Sequence, residues 1–429
     1  MNIALSLRAK GVGGLAARVG TITSRFGLTA RPMEHRLNHY TDLTAEFGSR
    51  PTLAITASVL ARHPGLIQKF VNRDVEFAIH GLVHNDHAGL GLEEQRESIT
   101  QAAAIFRAAG VPYAGFRGPY LRYNQATHEA LRNLGMRYHS SQAVAFAVLH
   151  RDVVKGPKAT AYQRALHLYG APDAAQVIVR PRDRQGLIEI PVAVPDDEIM
   201  VDRLHLDKQA QAEAWLAILE MTHARGDLFT MQLHPERIFD SAYALQSVLE
   251  EARRRQPAVW IAGLDEIASW WLRRQRSVLE VQQLDNGRYR VHLEGEPEAT
   301  LLVRELPTVD TIPWYGRDLV ARVGSFELAS AVKPVVGVST QSPKAVLDLL
   351  YEEGLPAEIS DDREQFGAYI DIPSGELDEV GVLTEIERAP GPLVRLGRWP
   401  SGARSALAVT GDIDSITLQD FALRLWETR

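Results

Sequence analysis

Two histidines four residues apart, His80 and His84, stand in the stretch Glu76-Phe-Ala-Ile-His80-Gly-Leu-Val-His84-Asn-Asp86. If the chain turns helically after His80, positions i and i+4 place both imidazoles on one side, close enough to share a cation. The sequence has no cysteine. Disulfides and thiolate ligands are therefore excluded, and a metal must sit on His, Asp or Glu. A zinc site of that kind keeps one coordination position open for water. Further on, Pro119 in Phe116-Arg117-Gly118-Pro119-Tyr120 fixes its own φ and biases Gly118 toward extended backbone. Such a turn can aim Arg117 at a carboxylate and present the Tyr120 N–H to a developing oxyanion. In Leu233-His234-Pro235 a histidine ends an apolar run, where it can protonate a leaving amine. Near the C-terminus, Asp412 and Asp414 in Val409-Thr410-Gly411-Asp412-Ile413-Asp414 project to the same side of a strand or open turn. One could bind metal while the other takes a proton from water.

Each motif also has a plainer reading. Arg117 can be a snorkelling arginine on a structural turn, and His234 a hydrogen-bonded strand-end histidine. Asp414 or Thr417 can cap the helix that follows. His87 and the pair Asp196-Asp197 read most simply as solvated loop residues.

These residues need elements to position them. From about Leu43 to Trp271, short apolar strands alternate with amphipathic helices. Strands are expected at 52–56, 75–79, 114–116, 186–191, 228–233 and 259–262, and helices at 92–109, 126–134 and 209–224. His80, Arg117 and His234 each follow a strand directly. That pattern implies parallel strands with a site at their C-terminal ends, closed as a distorted (β/α) barrel. After Trp271 the pattern changes to alternation around Asp285-Asn286-Gly287, a hairpin signal, and a small β-rich module is expected to about Ser339. A helix at 342–353 and a strand near 367–372 come next. The chain then divides into a barrel over 1–275, a β-rich accessory region over 276–400, and a strand–helix unit over 401–429 that carries Asp412 and Asp414.

The 429 residues are enough for a barrel of roughly 230 residues with an addition. With 45% hydrophobic and 24% charged residues the composition is that of an ordinary globular protein. A net charge of −7 without long like-charge blocks does not suggest a nucleic acid or an anionic membrane surface as partner. No run approaches the roughly 18–20 apolar residues that span a bilayer. The opening Met1-Asn-Ile-Ala-Leu-Ser-Leu-Arg-Ala-Lys has too short an apolar run for a secretory signal, and its charges come after it. The expectation is a cytoplasmic protein.

Taken in order, these motifs resemble the polysaccharide deacetylases of carbohydrate esterase family 4, the NodB-homology group. Glu76-x3-His80-x3-His84-x-Asp86 is similar to the family's metal-binding motif, and Arg117-Gly118-Pro119-Tyr120 to its Arg-x-Pro-Tyr groove wall. Tyr138-His139-Ser140-Ser141 resembles a Tyr-Asp-Ser-Ser stretch, Ile188-Glu-Ile-Pro191 a groove strand, and Leu233-His234 the Leu-x-His motif. The resemblance implies a distorted (β/α) barrel with one divalent cation, commonly zinc, with Co²⁺ or Ni²⁺ as alternatives. It implies that a metal-activated water attacks an N-acetyl carbonyl. By position it makes His80, His84 and Asp414 the ligands, Asp412 the base and Arg117 the residue that holds it. Tyr120 would assist the oxyanion, His234 would be the acid, and Pro119, Ser140 and Ser141 would line the substrate groove. The implied substrate is an acylated sugar; hydrolysis of a small cyclic or linear amide, or glycan binding without hydrolysis, are alternatives.

The order of the motifs departs from the family. The aspartate pair ordinarily precedes the histidines, yet here the early chain offers only Ile3-Ala-Leu-Ser-Leu7-Arg8. Circular permutation is one explanation, with residues 33–47 continuing an outer layer begun by 418–426. Strand exchange in a homodimer is a second. A third is an incomplete site that binds without hydrolysing.

Overall fold

The runs Thr52–Ile55 (β1) and Glu76–Ile79 (β2) are buried at all four positions each. That is the signature of strands covered on both faces, as parallel sheets are. They belong to a nine-stranded sheet with Gly115–Phe116 (β3), Tyr138–His139 (β4), Arg182–Arg184 (β5), Leu187–Glu189 (β6), Leu228–Leu233 (β7), Val259–Ile261 (β8) and Ser405–Ile413 (β9). The strand order is β8-β9-β1-β2-β3-β4-β6-β5, with β7 also paired to β9. Every pairing is parallel except β5–β6. The result is a curled half-barrel of mostly parallel strands with helices around it, joined by smaller sheets. The computed structural model describes residue 22 and residues 25–428, with 286, 307–309 and 374–376 excepted. The early segment Ile3–Arg8 lies outside the described residues.

The C-terminal strand sits in the middle of this sheet. All nine residues of β9 are buried. One edge pairs with β7 from Ala406↔Leu228 to Gly411↔Leu233. The other edge is shared, Ser405–Leu407 facing β8 and Thr410–Ile413 facing β1. The strand runs on to Ile413 because β1 offers backbone partners that far, and this carries Asp412 into the sheet opposite Ala54.

Outside the sheet, Arg31–Glu46 (α1) packs on Ile238–Arg254 (α3), which packs on Lys208–Arg225 (α2). The terminal helix Leu418–Glu427 (α4) meets the chain just ahead of α1: the Leu418 N–H donates to Gly27 O at 3.0 Å, and Phe26 stacks on Phe421 at 5.7 Å. No helix among the described residues is long and apolar enough to cross a membrane.

Residues 276–400 form three small sheets. Val278–Asp285, Arg288–Glu294 and Ser325–Ala329 make an antiparallel one around the expected hairpin. A second joins Thr311–Tyr315, Asp318–Ala321, Leu301–Arg304 and Leu393–Leu396. A third is parallel, built on Lys333–Val338 with two helices beside it. This region docks on the N-terminal ends of the barrel strands. Trp399 is fully buried and donates to Gly226 O at 2.9 Å, just before β7. Buried Glu353 accepts from Arg180 at 2.5 Å and Arg398 at 2.7 Å, and Arg398 also reaches Asp227 at 2.9 Å.

Burial raises the Glu353 pKa, but Arg398 and Arg180 overcome it and hold the carboxyl at about 2. Glu353→Ala removes the buried carboxylate that Arg180 and Arg398 share, leaving Arg180 to Glu352 and Arg398 to Asp227, and should cost about 1–3 kcal/mol, read as a lowered Tm. Because the folded pKa is depressed, the contribution is complete above the unfolded value of 4.5 and is lost as pH falls to about 2.

Candidate metal centre

His80 leaves the end of β2, and Gly81 turns the chain at φ +81°. A Cβ at Gly81 would lie 2.9 Å from Val83 O, so the tight turn needs glycine there. The helical turn expected between His80 and His84 is absent; residues 82–84 form a bend instead. The loop is held from the start of the Ala57–Arg62 helix, where the Ala57 and Ser58 N–H groups donate to Gly81 O and Leu82 O at 3.0 and 2.9 Å. His80 Nδ1 lies 2.8 Å from Arg117 O. A carbonyl only accepts, so Nδ1 carries the proton and Nε2 keeps its lone pair for a ligand.

β9 brings the two aspartates to these imidazoles within one chain. His80 Nε2 is 3.3 Å from Asp414 Oδ1, and His84 Nε2 is 3.3 Å from Asp414 Oδ2. Donor atoms of these three residues all lie within 4.8 Å of one another. Donors about 2.0–2.2 Å from a tetrahedral zinc sit about 3.4 Å apart. Asp414 Oδ1 and His84 Nδ1 are buried and make no hydrogen bond among the described residues. Two imidazoles and a carboxylate are a zinc-type donor set, and these residues fit a divalent cation. Burial pushes the His84 imidazolium well below its ordinary value against the pull of Asp414, which leaves the neutral, ligating form. Burial opposes ionisation of Asp414, yet His84 and Arg424 hold it well below the usual carboxylate range. Arg424, on α4, donates to Asp414 Oδ2 at 2.5 Å. Sequence reading did not single out Arg424; its signal was a cation on the first helix after the acidic pair.

Asp412 is nearly inaccessible and held on both oxygens. Arg117 Nη1 donates to Oδ1 at 3.3 Å and Gln232 Nε2 to Oδ2 at 2.8 Å. His80 Nε2 lies 4.0 Å from Oδ2. Arg117 also donates to Ser140 Oγ and Thr410 Oγ1, both at 3.2 Å. Helix capping falls to Thr417, whose Oγ1 accepts from Asp420 N, so Asp414 is not spent on it.

The expected groove residues divide. Ser140 and Ser141 are fully buried: Ser140 braces Arg117, and Ser141 Oγ accepts from Gly118 N at 2.6 Å. They support the Arg117–Pro119 turn from behind. Pro119 is buried in that turn. Tyr120 sits at φ 60° with its ring edge-on to His84 at 4.3 Å, and burial pushes its phenol up to about 12.

His234 follows β7 and is paired with Asp197. Its Nδ1 lies 2.6 Å from Asp197 Oδ1, and its backbone N–H donates to Oδ2 at 2.6 Å. Burial lowers the imidazolium pKa, but the Asp197 carboxylate outweighs this and raises it to about 10. Asp196 and Asp197 are therefore buried, not the solvated loop residues the sequence suggested. They follow the buried strand Val192–Val194, which packs beside β7. His87 is corrected too: it is buried against Gln95 at 3.2 Å, and burial takes its pKa down to about 4. Glu76 stands at the start of β2, away from the histidines. It accepts from Tyr138 and Thr52, and burial raises it to about 7.

The sequence model of the family described as Polysaccharide deacetylase matches residues 31–139, a span that includes His80, His84, Arg117 and Tyr120 and stops far short of Asp412. No curated protein matches the chain. A solved structure assigned as a polysaccharide deacetylase from Mycobacterium smegmatis aligns at 21% identity with a TM-score of 0.44, covering 62% of this chain and 84% of that one. Puue allantoinase aligns at 16% identity with a TM-score of 0.43, covering 55% and 72%. A polysaccharide deacetylase assignment from Pseudomonas aeruginosa PAO1 aligns at 16% identity with a TM-score of 0.41, covering 56% and 73%.

Proposed function

We propose that this chain, which carries a domain of the polysaccharide deacetylase family, is a metal-dependent hydrolase that removes an N-acyl group from a sugar. The observation that carries the reading is the meeting of His80 and His84 with Asp414 beside a doubly held Asp412. The central position of β9 supports completion of the site within one chain, and with it the reading of the chain as circularly permuted.

His80, His84 and Asp414 would hold the cation, which when bound polarises a carbonyl and acidifies water. Asp412 is the base in this reading. Arg117 and Gln232 fix its carboxylate so that it takes the proton of the attacking water as the oxygen bonds to the acyl carbon. The Tyr120 N–H, on the turn that Pro119 stiffens, faces the developing oxyanion. His234 gives a proton to the nitrogen as the carbon–nitrogen bond breaks, so the amine leaves neutral. Asp197 keeps that imidazole charged and oriented.

Release of acetate from N-acetylated sugar oligomers, followed as Zn²⁺ or Co²⁺ is titrated into chelated protein, tests the reading. Stoichiometric metal-dependent release is expected. A protein that takes up metal but frees no acid from sugars or small amides would overturn hydrolysis in favour of glycan binding.

Asp197→Asn removes the charge that sustains the His234 imidazolium while leaving burial in place. The alkaline limb of the rate profile should move to lower pH by at least about 2 units, with metal content unchanged. An unmoved limb would remove His234 from the role of acid.

A further inference from the structure

A second group of buried ligand-type side chains lies one strand beyond Arg117. β4 and β6 run parallel with His139 opposite Glu189, so their side chains project from the same face. His128, on the helix Gln125–Asn133, comes down over them. Its Nε2 lies 3.4 Å from Glu189 Oε1, and the two imidazoles meet edge to face with centroids 5.1 Å apart. Donor atoms of the three residues all lie within 4.8 Å of one another.

Hydrogen bonding within the protein leaves this group unsatisfied. Both ring nitrogens of His139 and Nε2 of His128 are buried without a hydrogen-bond partner among the described residues. His139 is fully inaccessible, and its neighbours Phe116 and Tyr123 present rings to it at 6.1 and 4.7 Å. Buried imidazole nitrogens are ordinarily paired, and a cation held by one nitrogen of each ring together with Glu189 would give both rings a partner. Glu189 divides its oxygens as a metal carboxylate does: Arg184 Nε and Nη2 hold Oε2 at 3.0 and 2.9 Å, which leaves Oε1 to the imidazoles.

On its outer side the group opens on a cleft of about 500 Å³ lined by Tyr123, Arg132, Asp183 and Arg184.

We propose that His128, His139 and Glu189 form a second divalent-cation site of the zinc class, with its fourth coordination position on that cleft. Two nitrogens and one carboxylate oxygen match the borderline-soft ions, and closing from 4.8 Å to the spacing of about 3.4 Å around zinc needs only side-chain adjustment. The site shares no ligand with the His80–His84–Asp414 centre, and Phe116 stands between His139 and His87.

Equilibrium dialysis of the full chain against Co²⁺ and Zn²⁺, counted by elemental analysis, should find two equivalents. A His84→Ala/Asp414→Ala chain should keep one, with a Co²⁺ d–d spectrum of its own. Adding His139→Asn, or separately Glu189→Gln, should weaken that remaining equivalent at least about 10- to 100-fold. Circular dichroism melting of each variant establishes that it is folded. The proposal is overturned if the folded His84→Ala/Asp414→Ala chain binds no cation, or if both added substitutions leave its equivalent intact. Loss of only the equivalent that depends on Asp414 bears on the first centre alone, so the two readings fail separately.

Discussion

A chain ending at Pro400 should neither fold cooperatively nor retain metal. Removal of residues 401–429 takes away β9, all nine residues of which are buried, and opens the sheet between β7 and β1. Leu407, Val409 and Ile413 are each fully buried. Truncating one such side chain typically costs about 2–5 kcal/mol, and total stability is only about 5–15 kcal/mol. Losing the whole strand exceeds that margin. Thermal melting followed by circular dichroism should therefore show no cooperative transition, and the metal content should fall to background. A truncated chain that melts sharply and binds metal at His80 and His84 would show that β9 does not complete the domain.

The two aspartates should fail differently. Asp412→Asn keeps the shape of the side chain but removes its basicity, so turnover should fall about 10²- to 10⁴-fold while metal content persists. It also leaves the buried Arg117 without its counter-charge, which should lower Tm. Asp414→Ala should lose metal first, and activity only as a consequence. The check is metal content measured beside turnover at saturating added metal. If Asp412→Asn loses the equivalent held by His80 and His84, or Asp414→Ala keeps that equivalent, the two roles are exchanged.

The local elements were readable because periodicity and stop signals are local. The helix expected at 92–109 is found at Leu92–Ala108, and the strand expected at 228–233 is Leu228–Leu233. Spacing and strand ends also drew attention to His80, His84, Arg117, Asp412 and Asp414. Spacing alone does not show their convergence, since 295 positions separate Arg117 from Asp412; the family resemblance is what implied it. Only the insertion of β9 between β7 and β1 brings them together.

What escaped the sequence was mostly burial. Asp197 sits 37 positions from His234, and nothing nearby says that its loop is folded inward. Two carboxylates after a proline read as solvent-facing until the strand before them is placed beside β7. His87 was misread for the same reason: a histidine after Asn-Asp looks like surface, but Gln95 on the following helix covers it. Gln232, inside an apolar strand, was the one polar side chain there able to hold Asp412, and it went unnoticed because strand polarity alone does not reveal a partner.

In the proposed reading Asp414, one residue beyond β9, completes a metal centre with His80 and His84 of the same chain. Anomalous diffraction at the zinc edge, from crystals grown with Zn²⁺, tests it most directly. The account predicts a peak about 2.0–2.2 Å from His80 Nε2, His84 Nε2 and an Asp414 carboxylate oxygen of one chain. A peak at the two histidines whose carboxylate ligand comes from another chain, or from a residue other than Asp414, would contradict it.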